Sequence, residues 1–358
     1  MLRLLPIGCA LALLGGCLHP PAPAGIPPSA PAELTVPEAP AAEDEDEEPV
    51  EPGDGTEDFN DAPAKPATTP TATPASGGRS AALPKWMHEA SRKITAHAKG
   101  KRRAWDRLAS MVDAFGPRLS GSAALERAID WSIETMQDDG LARVRRETVM
   151  VPHWVRGKET LKVVAPIQRE LEVLGLGMTV GTRRALRAPV VVLASVDEIE
   201  KRGNDLAGKI VLVNQKMPKY DHDKDESGYG TTVKSRSESA SRAAKFGAKA
   251  VLVRSVTATS LDTPHTGAMR YEDGVAKIPA AAVTHEGAEL LARLAARGPV
   301  ELRLELGARH LPDVASGNAI AELRGREKPD EIVLVGGHID SWDVGDGASD
   351  DGAGCLMA

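Results

Sequence analysis

The chain is poor in cysteine and aromatics and has no apolar run long enough to cross a bilayer. It holds three cysteines among 358 residues. Cys9 and Cys17 sit in the first seventeen residues, so Cys355 stands alone in the rest, which excludes an intramolecular disulfide there. Aromatics make up 3% of the chain, yet prolines number 26, so a compositionally odd stretch is mixed into an otherwise average globular composition. That stretch is 18–84: it contains fifteen of the prolines and thirteen acidic residues against two basic ones, Lys65 and Arg79. The whole chain carries −7, of which −11 belongs to this segment, leaving +4 elsewhere. A near-neutral remainder offers no basic stripe to a phosphate backbone, which excludes nucleic acid as a partner. Segment 18–84 lacks the apolar residues to build a core and reads as a solvated, disordered tether, extended by the self-repulsion of six consecutive acids at 43–48.

The length leaves room for two or three domains. Residues 1–17, MLRLLPIGCALALLGGC, have one basic residue, Arg3, then an apolar run, two glycines and a cysteine. This is the pattern of a signal peptide, and the run of about a dozen residues is short of the roughly 20 that span a membrane. Leu14-Gly15-Gly16-Cys17 resembles a bacterial lipobox, which implies that Cys17 is diacylated and becomes the mature N-terminus. Leu18 replaces the aspartate that retains such lipoproteins in the inner membrane. The expectation is a secreted chain held by its N-terminal lipid at the outer membrane or cell surface.

Beyond the tether, the spacing predicts helices over 86–97 and 104–115, stopped by Gly116-Pro117. Ser122 is placed to cap a third helix, in which Leu125, Ile129, Ile133 and Met136 recur at helical spacing and which Gly140 ends. A β-rich run, 144–151, reaches Pro152. From about 161 strand-like runs at 190–193, 210–213 and 251–253 alternate with helical stretches at 239–246 and 286–296, an α+β insert over 161–308. LAGKIVLVN (206–214), AAKFGAKAVLVRS (243–255) and KIPAAAVTHEGAELL (277–291) resemble the protease-associated (PA) domain. After the insert, 318–323 and 331–335 read as buried strands that resume the α/β domain opened at 85–160.

The candidate chemistry lies in 336–354, GGHIDSWDVGDGASDDGAG. Open α/β sheets bind ligands at the carboxyl ends of their strands, and this loop follows such a run. His338 and Asp340, two apart, face the same way in extended chain, so the carboxylate can steer a metal-bound imidazole. Asp350 follows in a glycine-rich turn, and carboxylate plus imidazole is a zinc donor set. His265, inside the insert, and His222, in a charged loop, are set aside as ligands. The full string resembles the co-catalytic dizinc exopeptidases, the family of the bacterial leucyl aminopeptidases, whose pattern is a strand, H-x-D, then G-A-x-D-D-x-x-G. That resemblance implies that His338 binds one zinc, Asp350 bridges two, and Asp340 supports the histidine. It also implies a cis peptide between Asp350 and Asp351, and short peptides or dipeptides as substrates.

The same family pattern includes a Glu-Glu pair supplying the general base and a zinc ligand, and a later acid and histidine. The one Glu-Glu pair here, Glu47-Glu48, lies in the tether, so the general-base glutamate is absent. The expectation is therefore an α/β zinc exopeptidase domain, truncated within 309–358, whose chain is incomplete and inactive alone unless a homodimer completes the site. The alternative is a non-catalytic surface lipoprotein whose PA-like insert binds peptides or protein partners.

Overall fold

The computed structural model describes residues 84–101, 103–259 and 262–358; the signal peptide, Cys17 and all but the last residue of the tether lie outside the described residues. Three helices come first: α1 (Lys85–Lys101), α2 (Arg103–Phe115) and α3 (Ala123–Asp138). Ser122 caps α3, its hydroxyl accepting a hydrogen bond from the Leu125 amide at 3.2 Å. Leu125, Ala128 and Ile129 form the buried stripe of α3. Gly140, at φ +76, turns the chain into β1 (Ala142–Val155).

The insert follows. Its elements are β2 (Glu159–Ala165), β3 (Arg169–Leu171), β4 (Val173–Gly175), β5 (Leu186–Leu193), α4 (Glu198–Arg202) and β6 (Ile210–Val213). The short helices α5 (Tyr229–Thr232), α6 (Lys234–Ser237) and α7 (Ser239–Ala244) lead to β7 (Ala250–Arg254), β8 (Ala280–Val283), α8 (His285–Ala295) and β9 (Glu301–Leu306). The strands form one eight-stranded sheet in the order β3-β2-β9-β5-β6-β7-β8-β4, with β5 to β8 mutually parallel. Because strand side chains alternate between faces, Val211 and Val213 enter one apolar layer with Leu193 and Val251, while Ile210 and Leu212 enter the other with Leu252 and Leu291. A sheet covered on both faces needs such continuous apolar runs, and IVLV in β6 is fully buried.

The chain leaves the insert through β10 (Arg309–Glu322), which pairs antiparallel with β1 in a long two-stranded ribbon. β1 continues past Pro152, where the sequence reading had ended the strand. The register shifts between Val151 and His153, so the proline that cannot donate to the ladder sits in an irregularity. Helix α3 lies on the ribbon, and Arg146 of β1 pairs with Glu126 and Asp130 of α3.

One expectation is overturned. Of the two buried strands read after the insert, 318–322 is the end of β10, but 331–335 forms no strand, and Ile332, Val333 and Leu334 are 87–90% exposed. An apolar run becomes a buried strand only when neighbouring strands accept its backbone hydrogen bonds, and none of the described residues does so for 332–335. A short helix, α9 (Ala353–Met357), ends the described chain and packs against α2.

Leu212, fully buried at the centre of the insert sheet, tests this assignment of the core. Leu212→Ala is expected to destabilise the insert by about 2–5 kcal/mol, read as a lower urea midpoint by circular dichroism. A midpoint within error of the parent would place Leu212 outside the core.

Candidate metal site

Gly116-Pro117, the stop after α2, places Arg118 inside the protein, where it is fully buried. Its guanidinium donates to four main-chain carbonyls: Nε to Ile339 at 2.8 Å, Nη1 to Gly116 and Asp346 at 2.7 Å each, and Nη2 to Gly347 at 3.1 Å. Its amide donates to the Ser341 hydroxyl, and its carbonyl accepts from the Ser341 amide, both at 2.9 Å. One side chain thus sets the path of 339–347. Burial pulls the guanidinium below its ordinary value, against the opposing pull of Cys355, Asp340 and Asp346, but an arginine stays protonated throughout. Gly347 has φ +59, and a Cβ there would meet the Ser341 Cβ at 2.3 Å, so this corner accepts only glycine.

The end of β1 and the start of the insert grip the same loop from the other side. Arg156, just beyond β1, donates from Nε and Nη2 to the two carboxylate oxygens of Asp343, 2.8 Å each, and from Nη1 to the Gly175 carbonyl. Its side chain is nearly buried over the Trp154 ring, so this fork-to-fork pair is shielded from solvent. The Trp342 ring lies on Gly177, where a Cβ would come within 2.1 Å of it. Next to it Met178 has φ +71, a rare conformation for a bulky side chain, and the turn is held by the Trp154 indole donating to the Thr179 carbonyl at 2.8 Å. A cleft of about 280 Å³ results, walled by Trp154, Met178 and Ala268 and by Trp342 of the loop, with His338, Asp340 and Asp350 on its lining.

The structure brings together all three residues that the sequence singled out. His338 Nδ1 lies 3.2 Å from both the carbonyl and a carboxylate oxygen of Asp340, and Nε2 lies 3.1 Å from Asp350 Oδ1. The peptide between Asp350 and Asp351 is cis. Burial lowers the His338 pKa, but the Asp340 carbonyl and the carboxylates of Asp340, Asp350 and Asp351 outweigh it and hold the imidazole above its ordinary value. When Nδ1 carries the proton and donates to Asp340, Nε2 and Asp350 Oδ1 are two acceptors facing each other, which only a second proton or a cation reconciles. Zinc bonds of 2.0–2.2 Å at a tetrahedral angle separate two ligand atoms by about 3.3 Å, so donor type and spacing both fit. The pair remains two donors, because among the described residues no group of three His, Cys, Asp or Glu is placed to hold a metal ion. The Cys355 thiol, pushed up to about 11 by burial and by Asp351, stays protonated at neutral pH. His222 packs edge-on to Tyr220, and His265 hydrogen-bonds through its amide to Ser255, both within the insert.

Comparison with known proteins follows these two halves. Residues 318–358 match the model of Peptidase family M28, and 186–291 match the PA domain. The chain is 44% identical over 267 residues to carboxypeptidase Q from Bos taurus and 43% identical to that from Homo sapiens, in each case over 74% of this chain and 55% of the relative. It therefore spans about half the length of those relatives. Among solved structures, a Peptidase M28 precursor from Shewanella amazonensis aligns with TM-score 0.70 at 37% identity, over 74% of this chain and 60% of that one. A zinc aminopeptidase from Bacillus subtilis shares the fold, with TM-score 0.52 at 24% identity over 72% of this chain and 55% of that one. The architecture is thus an M28 peptidase α/β fold with a PA domain inserted, as the motifs implied.

Replacing Arg118 tests whether it fixes the loop. Arg118→Met is expected to cost on the order of 3–5 kcal/mol, because four carbonyls lose their donor in a buried site. Amide exchange at 339–347 should rise with it. Unchanged exchange there would remove Arg118 from this role. Gly177→Ala should displace the Trp342 ring, seen as a shift in tryptophan emission, and identical spectra would contradict the packing described.

Proposed function

We propose that this chain carries site residues of a zinc-dependent exopeptidase that hydrolyses short peptides or dipeptides. The observation that carries the reading is the convergence of His338 Nε2 and Asp350 Oδ1 at 3.1 Å on the wall of a cleft, with Nδ1 held by Asp340. The match to Peptidase family M28 over that loop supports it, as does the name of the Bacillus subtilis neighbour, a zinc aminopeptidase. The non-catalytic alternative draws no support from the relatives.

In this reading His338, through Nε2, and Asp350, through its carboxylate, would hold zinc. Zinc at such a site supplies Lewis acidity, lowering the pKa of a coordinated water towards ~7 and polarising a carbonyl. Asp340 accepts the Nδ1 proton, which fixes the tautomer and turns the Nε2 lone pair toward the cleft. Arg118 and the Arg156–Asp343 pair hold the loop so that these donors do not have to be ordered when substrate arrives. Trp154, Met178 and Trp342 offer apolar surface to a peptide side chain and exclude water around it. The lipobox-like string ending at Cys17 supports, within the same reading, secretion through a signal peptide and an N-terminal lipid anchor at the outer membrane or cell surface.

Metal analysis and dipeptide hydrolysis on one preparation of the full chain test the reading. Zinc binding by the parent should fall at least tenfold in His338→Ala and Asp350→Ala, and fall less in Asp340→Asn, which keeps the carbonyl contact. Equal zinc in the parent and in both ligand variants would refute the assignment. About two zincs per chain together with hydrolysis would place the missing ligands within a homodimer.

A further inference from the structure

Helix α1 stands apart from the peptidase machinery. Every residue of 85–100 is exposed except Ala90, which is half-buried, with Trp86 63% and Ile94 70% exposed. At 3.6 residues per turn, Trp86, Ala90 and Ile94 recur four apart on one face, with Met87 at its flank. Lys85, Arg92 and Lys99 recur seven apart on the opposite face, and Lys93 adds a fourth cation. Glu89 is the single acid between 85 and 100. A helix that faced only water would have no use for a tryptophan and an isoleucine in one stripe, and a helix docked on the protein would bury them.

We propose that α1 is an interfacial helix that lies on an anionic lipid surface. Trp86, Met87 and Ile94 enter the boundary between headgroups and acyl chains, and Lys85, Arg92, Lys93 and Lys99 reach anionic headgroups. The choice of a membrane over another occupant rests on charge complementarity. The helix carries an apolar stripe on one face, with Lys93 at its edge, and three cations on the other, the two-faced composition of helices that lie on anionic lipid, and tryptophan partitions to that depth because its ring is apolar and its N–H polar. The chemistry makes no use of residues in the metal site, so the helix works whether or not the peptidase reading holds.

Co-sedimentation of the full chain carrying Cys17→Ser, which removes any acyl group, with vesicles of phosphatidylcholine alone or with 30% phosphatidylglycerol added tests this. The expected result is an excess of binding to the anionic vesicles that falls about tenfold in Lys85→Glu/Arg92→Glu/Lys99→Glu, falls similarly in Trp86→Ser/Ile94→Ser, and declines as salt rises. All five positions are exposed, so unchanged circular dichroism is expected for both variants. No excess on anionic vesicles, or an excess that survives both variants, overturns the proposal. So does a parent that ignores vesicles but is a dimer by light scattering and becomes monomeric in Trp86→Ser/Ile94→Ser, because a second copy would then cover the face.

Discussion

The candidate site depends on one buried guanidinium. Residues 339–347 contain two glycines and three acids and have no regular structure of their own, so nothing local gives them a fixed path. Arg118 gives them one, because its planar fork can reach several carbonyls at once where a lysine would offer a single point charge. Each bond shares the same rigid donor, so displacing one carbonyl disturbs the others. The acids at the cleft then need not be packed to be placed: His338, Asp340 and Asp350 are largely exposed, yet they converge because the loop carrying them is held from below.

A second grip comes from the end of β1 and from the insert. The Arg156–Asp343 pair and the Trp342–Gly177 contact join the loop to the turn that carries Met178, so a domain that contributes no metal donor nevertheless shapes the wall facing them. The arrangement makes the insert part of the cleft as well as a neighbour of it. Met178 keeps a left-handed backbone because hydrogen bonds on both sides of the turn define it, the kind of local cost that persists only where the surroundings over-determine it.

Helix α1 and the metal loop use exposure in opposite ways. The loop exposes charged groups to a cleft and is fixed by hydrogen bonds; the helix exposes apolar groups on a face that no described element covers.

Much of this was legible in sequence because the signals are local. The periodicity of Leu125 and Ile129, the Ser122 cap and the apolar runs of β5, β6 and β7 each report contacts with a whole sheet or a single turn, and they appear where expected. The contact of His338 with Asp340 was legible because residues two apart in extended chain share a side, while Asp350 was singled out by its motif. Segment 331–335 misled for the complementary reason. Its composition states a preference for burial, but a strand exists only when another strand accepts its hydrogen bonds, and no local pattern encodes that partner. Arg118 was visible only as a letter in GPRLSGS, and its pairing across more than two hundred residues could not be read from it. Arg156 and Asp343 are ordinary surface-type charges until folding places them 2.8 Å apart. Sequence determined most of the elements and singled out the candidate site residues, since those follow from neighbours along the chain. Tertiary structure alone decided which groups hold the donors in place, since that follows from distances that only folding creates.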